Sequence, residues 1–312
     1  MPQIDSVART WLPHILLLNL VVEIGIVVTG GLVRLTGSGL GCPTWPQCVP
    51  GSYVPTVEQE EGFHKVIEFG NRTLTGLLGV VALALLIALF RAARERRELI
   101  LGTVVVLVGI AAQAIVGGIT VLTGLNPWIV AFHFLCSMGL IAVSSWLVWR
   151  HRQPPGRMRS LVHPLVDRTI WALVAVAAVV LVLGTIVTGS GPHSGDAETP
   201  ARTGFDPRTI SWLHADAVML FVGIVVAVWL GARLTQRSPG PASAWWVVLM
   251  VTLAQGLVGY VQYLTKLPEV LVLAHMFGAS ILVVVIVRAI VLTREPVAAD
   301  DHASLEETTS RA

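Results

Sequence analysis

The sequence predicts an all-α integral membrane protein, with eight transmembrane helices arranged as two pseudo-twofold-related four-helix bundles. Three observations lead there. Of 312 residues, 54% are hydrophobic and only 13% are charged, with a mean hydropathy of +0.75, well outside the composition of a soluble domain. Eight apolar runs follow one another, at about 12–33, 66–90, 99–122, 129–149, 169–189, 209–231, 243–264 and 270–293, each near the ~20 residues a helix needs to cross the hydrocarbon core. Finally, one stretch occurs twice. Ala112–His133 reads AQAIVGGITVLTGLNPWIVAFH and Ala254–His275 reads AQGLVGYVQYLTKLPEVLVLAH. At a constant offset of 142 residues, Gln113/Gln255, Gly117/Gly259, Leu125/Leu267 and His133/His275 coincide. Four spans return the chain to its starting side, so the halves share one orientation and the axis lies along the membrane normal.

The first run is too long, and is followed by too polar a loop, to be a cleaved signal peptide, and it reads as a retained span. It ends in GIVVTGGLVRLTGSGLGC, and the fifth run ends in GTIVTGSGPHSGDAE. The shared G-x-x-V-T-G carries the repeat to the start of each half. The halves are 1–150 and 169–294, joined by a Pro- and Arg-rich linker at 151–168. Beyond them, 295–312, with Asp300, Asp301, Glu306 and Glu307, reads as a disordered, solvated tail. Arginines crowd the loops after the second, fourth and sixth runs, which puts those loops and both termini in the cytoplasm of a cell-membrane protein. The net charge of +2 is therefore a topology signal, and nucleic acid is excluded as a partner.

The first outer loop holds Cys42 and Cys48 in GCPTWPQC. Six residues apart across two prolines, on an oxidising face, they read as a disulfide in preference to free thiols. A zinc site would need further ligands that the loop does not supply. Cys136, inside span four, reads as a small apolar residue, and His193 as an ordinary loop histidine.

Span two opens FHKVIEFGNRTLTG, so His64, Glu68 and Asn71 fall at i, i+4 and i+7 on one helix face. A carboxylate within the apolar zone is expensive, which makes Glu68 a functional candidate. The competing reading is an ion pair with Arg72 at i+4. Span six opens RTISWLHADAV, and aligning IEFGN with ISWLH sets Asn71 opposite His214. The second half thus offers His214 and His275 at matching depth. The first offers His133 and an asparagine. Two histidines at one level on two helices of a bundle suit a haem iron gripped from both faces. Copper or zinc would want a third ligand, whereas a porphyrin brings its own four nitrogens. The second half suits a closed electron-transfer haem. The first, with one imidazole and a carboxylate, suits a site where haem is acted upon.

In combination, TGSGLGCPTWPQC, IEFGNR, the twin AQ…H segments and VTGSGPHSGD resemble the haem A synthase family in its Gram-positive bacterial form, over about residues 10–294. The resemblance implies an oxidoreductase that converts haem O to haem A. Two successive hydroxylations of the ring methyl at carbon 8 give a geminal diol, which loses water to leave a formyl group. It further implies a haem b held by His214 and His275, a haem O site in the first half with Glu68 catalytic and His133 on iron, and a loop cysteine pair at Cys42 and Cys48. Implied partners are haem O, the farnesyltransferase that makes it, an electron donor such as quinol, and the lipid bilayer, with a homo-oligomer left open. The sequence departs from the family's E-x-x-H-R, which here reads EFGNR and places Asn71 at a ligand position. Either His64, one turn before Glu68, replaces it or His133 ligates alone. A second cysteine pair, in the third outer loop, is absent. Two other classes stay open: a di-haem membrane cytochrome for quinol electron transfer, and a haem transporter or chaperone.

Overall fold

In the computed structural model, residues 2–57, 62–196, 200–235 and 240–297 are described, and eight helices account for most of them. They are α1 (Pro2–Leu35), α2 (His64–Ala92), α3 (Arg97–Leu122), α4 (Pro127–His151), α5 (Pro164–Ser190), α6 (Pro207–Thr235), α7 (Gly240–Leu264) and α8 (Glu269–Leu292). Each is long and apolar enough to cross a membrane. The all-helical membrane class therefore holds. α5 starts at Pro164, inside the expected linker.

Local chemistry sets the helix starts. α4, α5 and α6 open on a proline, whose fixed φ and missing N–H suit the first helical position. A side-chain acceptor precedes each. Asn126 Oδ1 accepts from Trp128 N at 3.0 Å, His163 Nδ1 from Leu165 N at 3.2 Å, and Asp206 Oδ2 from Thr209 N at 2.8 Å. The Thr209 bonds hold the exposed Asp206 carboxyl below the ordinary carboxylate value.

The repeated stretch folds the same way twice. Leu125 N donates to Thr120 O at 2.8 Å, and Leu267 N donates to Gln262 O at 2.7 Å. Both closures pass through the left-handed region, at Gly124 and Leu125 in one copy and at Lys266 and Leu267 in the other. A bond reaching back five residues across left-handed backbone is the Schellman way to end a helix. It turns α3 into α4, and α7 into α8, with the same sharpness.

Buried apolar side chains gather in two clusters. One, around Leu16, Leu85, Leu99 and Ile141, is built by α1–α4. The other, around Leu173, Val225, Trp245 and Val248, is built by α5–α8. The halves meet where α1 and α4 pack on α8, and α4 on α5. Small residues allow such approach in lipid: a Cβ at Gly31 of α1 would stand 3.0 Å from Met276 Cε of α8.

The linker also has structure. Strand β1 (Met158–Ser160) pairs antiparallel with β2 (Arg294–Pro296), and Arg159 Nε meets Glu295 Oε1 at 2.8 Å. The first residues of the expected tail are thus tied to the linker by a backbone ladder and an ion pair. Asp300, Asp301, Glu306 and Glu307 lie outside the described residues.

Candidate functional site

A cavity of about 860 Å³ runs between the helices, and all eight contribute to its wall. His133, His214 and His275 line it, together with Glu23, Glu68 and Asn71. The three histidines sit six or seven residues inside α4, α6 and α8, about 9–10 Å from the helix ends that face the disulfide loop.

Each imidazole rests on a glycine of the preceding helix. A Cβ at Gly117 would lie 3.4 Å from His133 Cε1, one at Gly184 3.3 Å from His214 Cε1, and one at Gly259 3.3 Å from His275 Cε1. The glycines make room for the rings. Nδ1 of all three is buried without a hydrogen-bond partner among the described residues, a costly state for a polar atom. Gln113 Nε2 donates to His133 O at 2.7 Å, and Gln255 Nε2 to His275 O at 2.9 Å, so the repeat preserves this bond as well. Among the described residues, no three His, Cys, Asp or Glu side chains converge as a metal cage. A large cavity, orphaned imidazole nitrogens and glycine-relieved walls fit an iron porphyrin, which asks the protein for axial ligands only.

Asn71 is engaged elsewhere. Its Oδ1 accepts from Thr29 Oγ1 at 2.7 Å. Gly25, which the G-x-x-V-T-G motif aligns with Gly184, has nothing within 4 Å of where its Cβ would be. At His214 that room holds an imidazole. Of the two alternatives for the missing ligand, the structure keeps His64 away from the cavity. It is exposed, its Nδ1 bonds Ser38 Oγ at 2.8 Å, and it is not part of the cavity wall. As the first residue of α2 it lies about 6 Å up the axis from Glu68, at loop level, where Ser38 captures it.

Glu68 is buried and doubly held. Oε1 accepts from Arg72 Nη2 at 2.6 Å and Nε at 3.0 Å, while Oε2 accepts from Cys42 N at 2.6 Å. Arg72 also donates to Cys42 O at 2.6 Å and Thr44 O at 2.9 Å. Cys42 and Cys48 form a disulfide, and both are fully buried. The ion pair and the disulfide loop are therefore one unit. The loop lays Trp45 against α3 so closely that any side chain at Gly118 would collide with the indole ring, and Trp45 and Pro46 both line the cavity.

Comparison with known proteins bears on this arrangement. The model of the COX15-CtaA family, described as cytochrome oxidase assembly protein, matches residues 13–287. The chain belongs to the COX15-CtaA family. Among its relatives, a heme A synthase of Geobacillus kaustophilus (strain HTA426) is 26% identical over 296 residues, covering 90% of this chain and 92% of that protein. Heme A synthases of Bacillus cereus (strain AH187) and Bacillus anthracis (strain CDC 684 / NRRL 3495) are each 25% identical over 311 residues, covering 96% of this chain and 98% of theirs.

In this COX15-CtaA protein, the residues singled out from sequence mostly share the cavity: Glu68, Asn71, His133, His214 and His275 line it, and His64 does not. Cys136 is a half-buried free thiol. His193 contributes its backbone carbonyl, which accepts from Arg34 Nε at 2.7 Å. Sequence reasoning missed Glu23. This residue of α1 is 2% exposed, lines the cavity, and leaves Oε1 without a partner among the described residues. The signal was present: a lone carboxylate in the middle of the first apolar run is a default functional candidate in a membrane protein.

Proposed function

We propose that this COX15-CtaA protein is a haem A synthase of the cell membrane, with both termini cytoplasmic. It oxidises a ring methyl of haem O to a formyl group by two hydroxylations and loss of water. The observation that carries the reading is the set of three cavity histidines with orphaned ring nitrogens, in a chain whose relatives over nearly its full length are named heme A synthase.

His214 and His275 would hold a resident haem b between α6 and α8, and their pairing in one half suits two axial ligands. When bound, that haem supplies one-electron transfer from a donor of the quinol class. His133 would hold the substrate haem O by its iron. Asn71, turned to Thr29, offers no imidazole at the position matched to His214, so the first half would hold its haem through fewer histidines than the second. Apolar helices take the farnesyl tail. Trp45 and Pro46 cover the cavity on the disulfide-loop side and limit water there. Glu68 keeps a fixed negative charge in the cavity wall, aligned by Arg72 and the Cys42 N–H, and is the proposed catalytic carboxylate. The farnesyltransferase that produces haem O is the expected source of substrate.

The test is expression with haem O supply, followed by extraction and identification of the haems. Haem A is expected from the natural protein. Glu68→Ala is expected to retain haem and to accumulate haem O or a hydroxylated intermediate. Haem A output equal to wild type from that variant removes Glu68 from the mechanism, and a protein that binds haem without ever yielding haem A removes the proposed activity.

A further inference from the structure

Glu23 is one of three carboxylates in the cavity wall, with Glu68 on α2 and Asp216 on α6. It lies twelve residues before the end of α1, about 18 Å down the axis, and so about 8 Å deeper than the histidines. Its side chain is buried on α1, the helix that packs on α2, α4 and α8. The titratable or charged groups that those helices bring to the cavity are Glu68 and Arg72 on α2, His133 on α4 and His275 on α8; α1 itself adds Arg34. Glu68 is committed to Arg72 and Cys42 N. Arg34 is committed to the carbonyls of His193 and Thr188, at 2.7 and 2.9 Å. No described group reaches Glu23 Oε1.

One turn deeper on the same face stands Asn19, also buried, whose Oδ1 is a second orphan and whose Nδ2 donates to Ser144 Oγ of α4 at 2.9 Å. Residues at i and i+4 are neighbours on a helix. Glu23, Asn19 and Ser144 thus form a short polar file leading from the cavity floor away from the disulfide loop, through otherwise apolar packing. A carboxylate without a partner in such surroundings is costly, whereas the neutral acid is not. What tips the balance is any nearby charge that comes and goes.

We infer that Glu23 is a redox-linked proton site of the cavity, taking up one proton when one electron enters the bound haem and releasing it when the electron leaves. The inference rests on the reading of this cavity as a haem site. The balance is one electron from the quinol-class donor to iron and one proton from water to a Glu23 oxygen, and no bond to carbon forms or breaks. The physical cause is Coulombic. Reduction removes one positive charge from a low-dielectric cavity, where charges act on one another far more strongly than in water, so the carboxylate loses what stabilised it and protonates.

The experiment is a spectroelectrochemical titration of the purified full-length protein with its haem, repeated across neutral pH. A one-electron couple tied to one proton moves by up to about 59 mV per tenfold change in proton concentration. Wild type is expected to approach that slope, Glu23→Gln to lose at least half of it, and Glu23→Asp to keep it. An unchanged slope in Glu23→Gln, or a flat one in wild type, overturns the proposal. Infrared difference spectra of the wild type need no variant: reduction is expected to raise a carboxylic-acid carbonyl band that shifts with carbon-13 glutamate, and its absence also overturns the proposal. Haem A output is read from the same preparations. No haem A with a Glu23-dependent slope sinks the synthase reading alone, whereas haem A with a slope indifferent to Glu23 sinks the proton site alone.

Discussion

Gln255 and His275 are joined by a 2.9 Å hydrogen bond from the Gln255 amide to the His275 main-chain carbonyl, in a pairing that Gln113 and His133 repeat at 2.7 Å. A helical carbonyl has a second lone pair to offer, and the glutamine uses it to fix where the histidine-bearing turn sits against α7 or α3. The repeat therefore conserves a positioning device along with its ligand candidate. The glutamine is packed to match, because any side chain at Gly278 would collide with the Gln255 amide.

Gln255→Ala is expected to lower stability by about 1 kcal/mol, in the range measured for interhelical hydrogen bonds in membranes, and to reduce haem retention on the second half. Gly278→Ala is expected to have the same effect by displacing the glutamine. Thermal melting and the haem-to-protein ratio check both; a Gln255→Ala protein that holds haem as firmly as wild type would leave the bond without a positioning role.

The Glu68–Arg72 pair is expected to govern the disulfide loop. Its two side chains are 7% and 21% exposed, so Arg72→Ala takes the cation from a mostly buried carboxylate and frees the carbonyls of Cys42 and Thr44. Breaking a buried pair by removing one partner costs about 3–5 kcal/mol, discounted here for the exposure of Arg72. The readout is reduction of Cys42–Cys48 by dithiothreitol, trapped by alkylation and followed by mass. Arg72→Ala is expected to reduce faster than wild type, with Arg72→Lys between them. Equal rates would show that the loop is held by other contacts.

Much of this was legible in the chain. Apolar runs of membrane length gave the helices because lipid leaves the backbone no other way to satisfy itself. The duplicated AQ…H stretch foretold the shared helix endings at Leu125 and Leu267, and His133, His214 and His275 do line one cavity. His64 shares a helical face with Glu68, but its place at loop level, bonded to Ser38, depends on a loop contact that spacing does not carry. Glu23 escaped because one carboxylate within a long apolar run hardly alters the hydropathy. The strand pairing of the linker with Arg294–Pro296 depends on two segments more than 130 residues apart, which no local pattern announces.

If His275 is an iron ligand, crowding its ring should matter as much as removing it. His275→Ala is expected to abolish the low-spin haem spectrum of the second half. Gly259→Leu leaves the imidazole in the sequence but fills the 3.3 Å space beside its Cε1, and overpacking of this kind costs about 1–3 kcal/mol or forces the ring aside. It is expected to weaken or shift the same spectrum. Retention of an unaltered low-spin signal in both variants would place the ligand elsewhere.

Asn71→His tests the asymmetry between the halves. Asparagine at this position points to Thr29, and the motif-matched glycine, Gly25, faces open space where Gly184 meets the imidazole of His214. An imidazole at position 71 therefore has room, and the substitution costs chiefly the Thr29 hydrogen bond, about 1 kcal/mol. With His133 it would give the first half the paired arrangement of the second. The expected outcome is a protein that binds its haems more tightly, shows additional low-spin signal, and loses reaction of the first-half haem with carbon monoxide in the reduced state. Haem A output is read from the same preparations, to show whether an imidazole at position 71 alters the reaction. Undiminished carbon monoxide binding in Asn71→His would mean that position 71 does not face the iron, and that the first half is organised differently from the second.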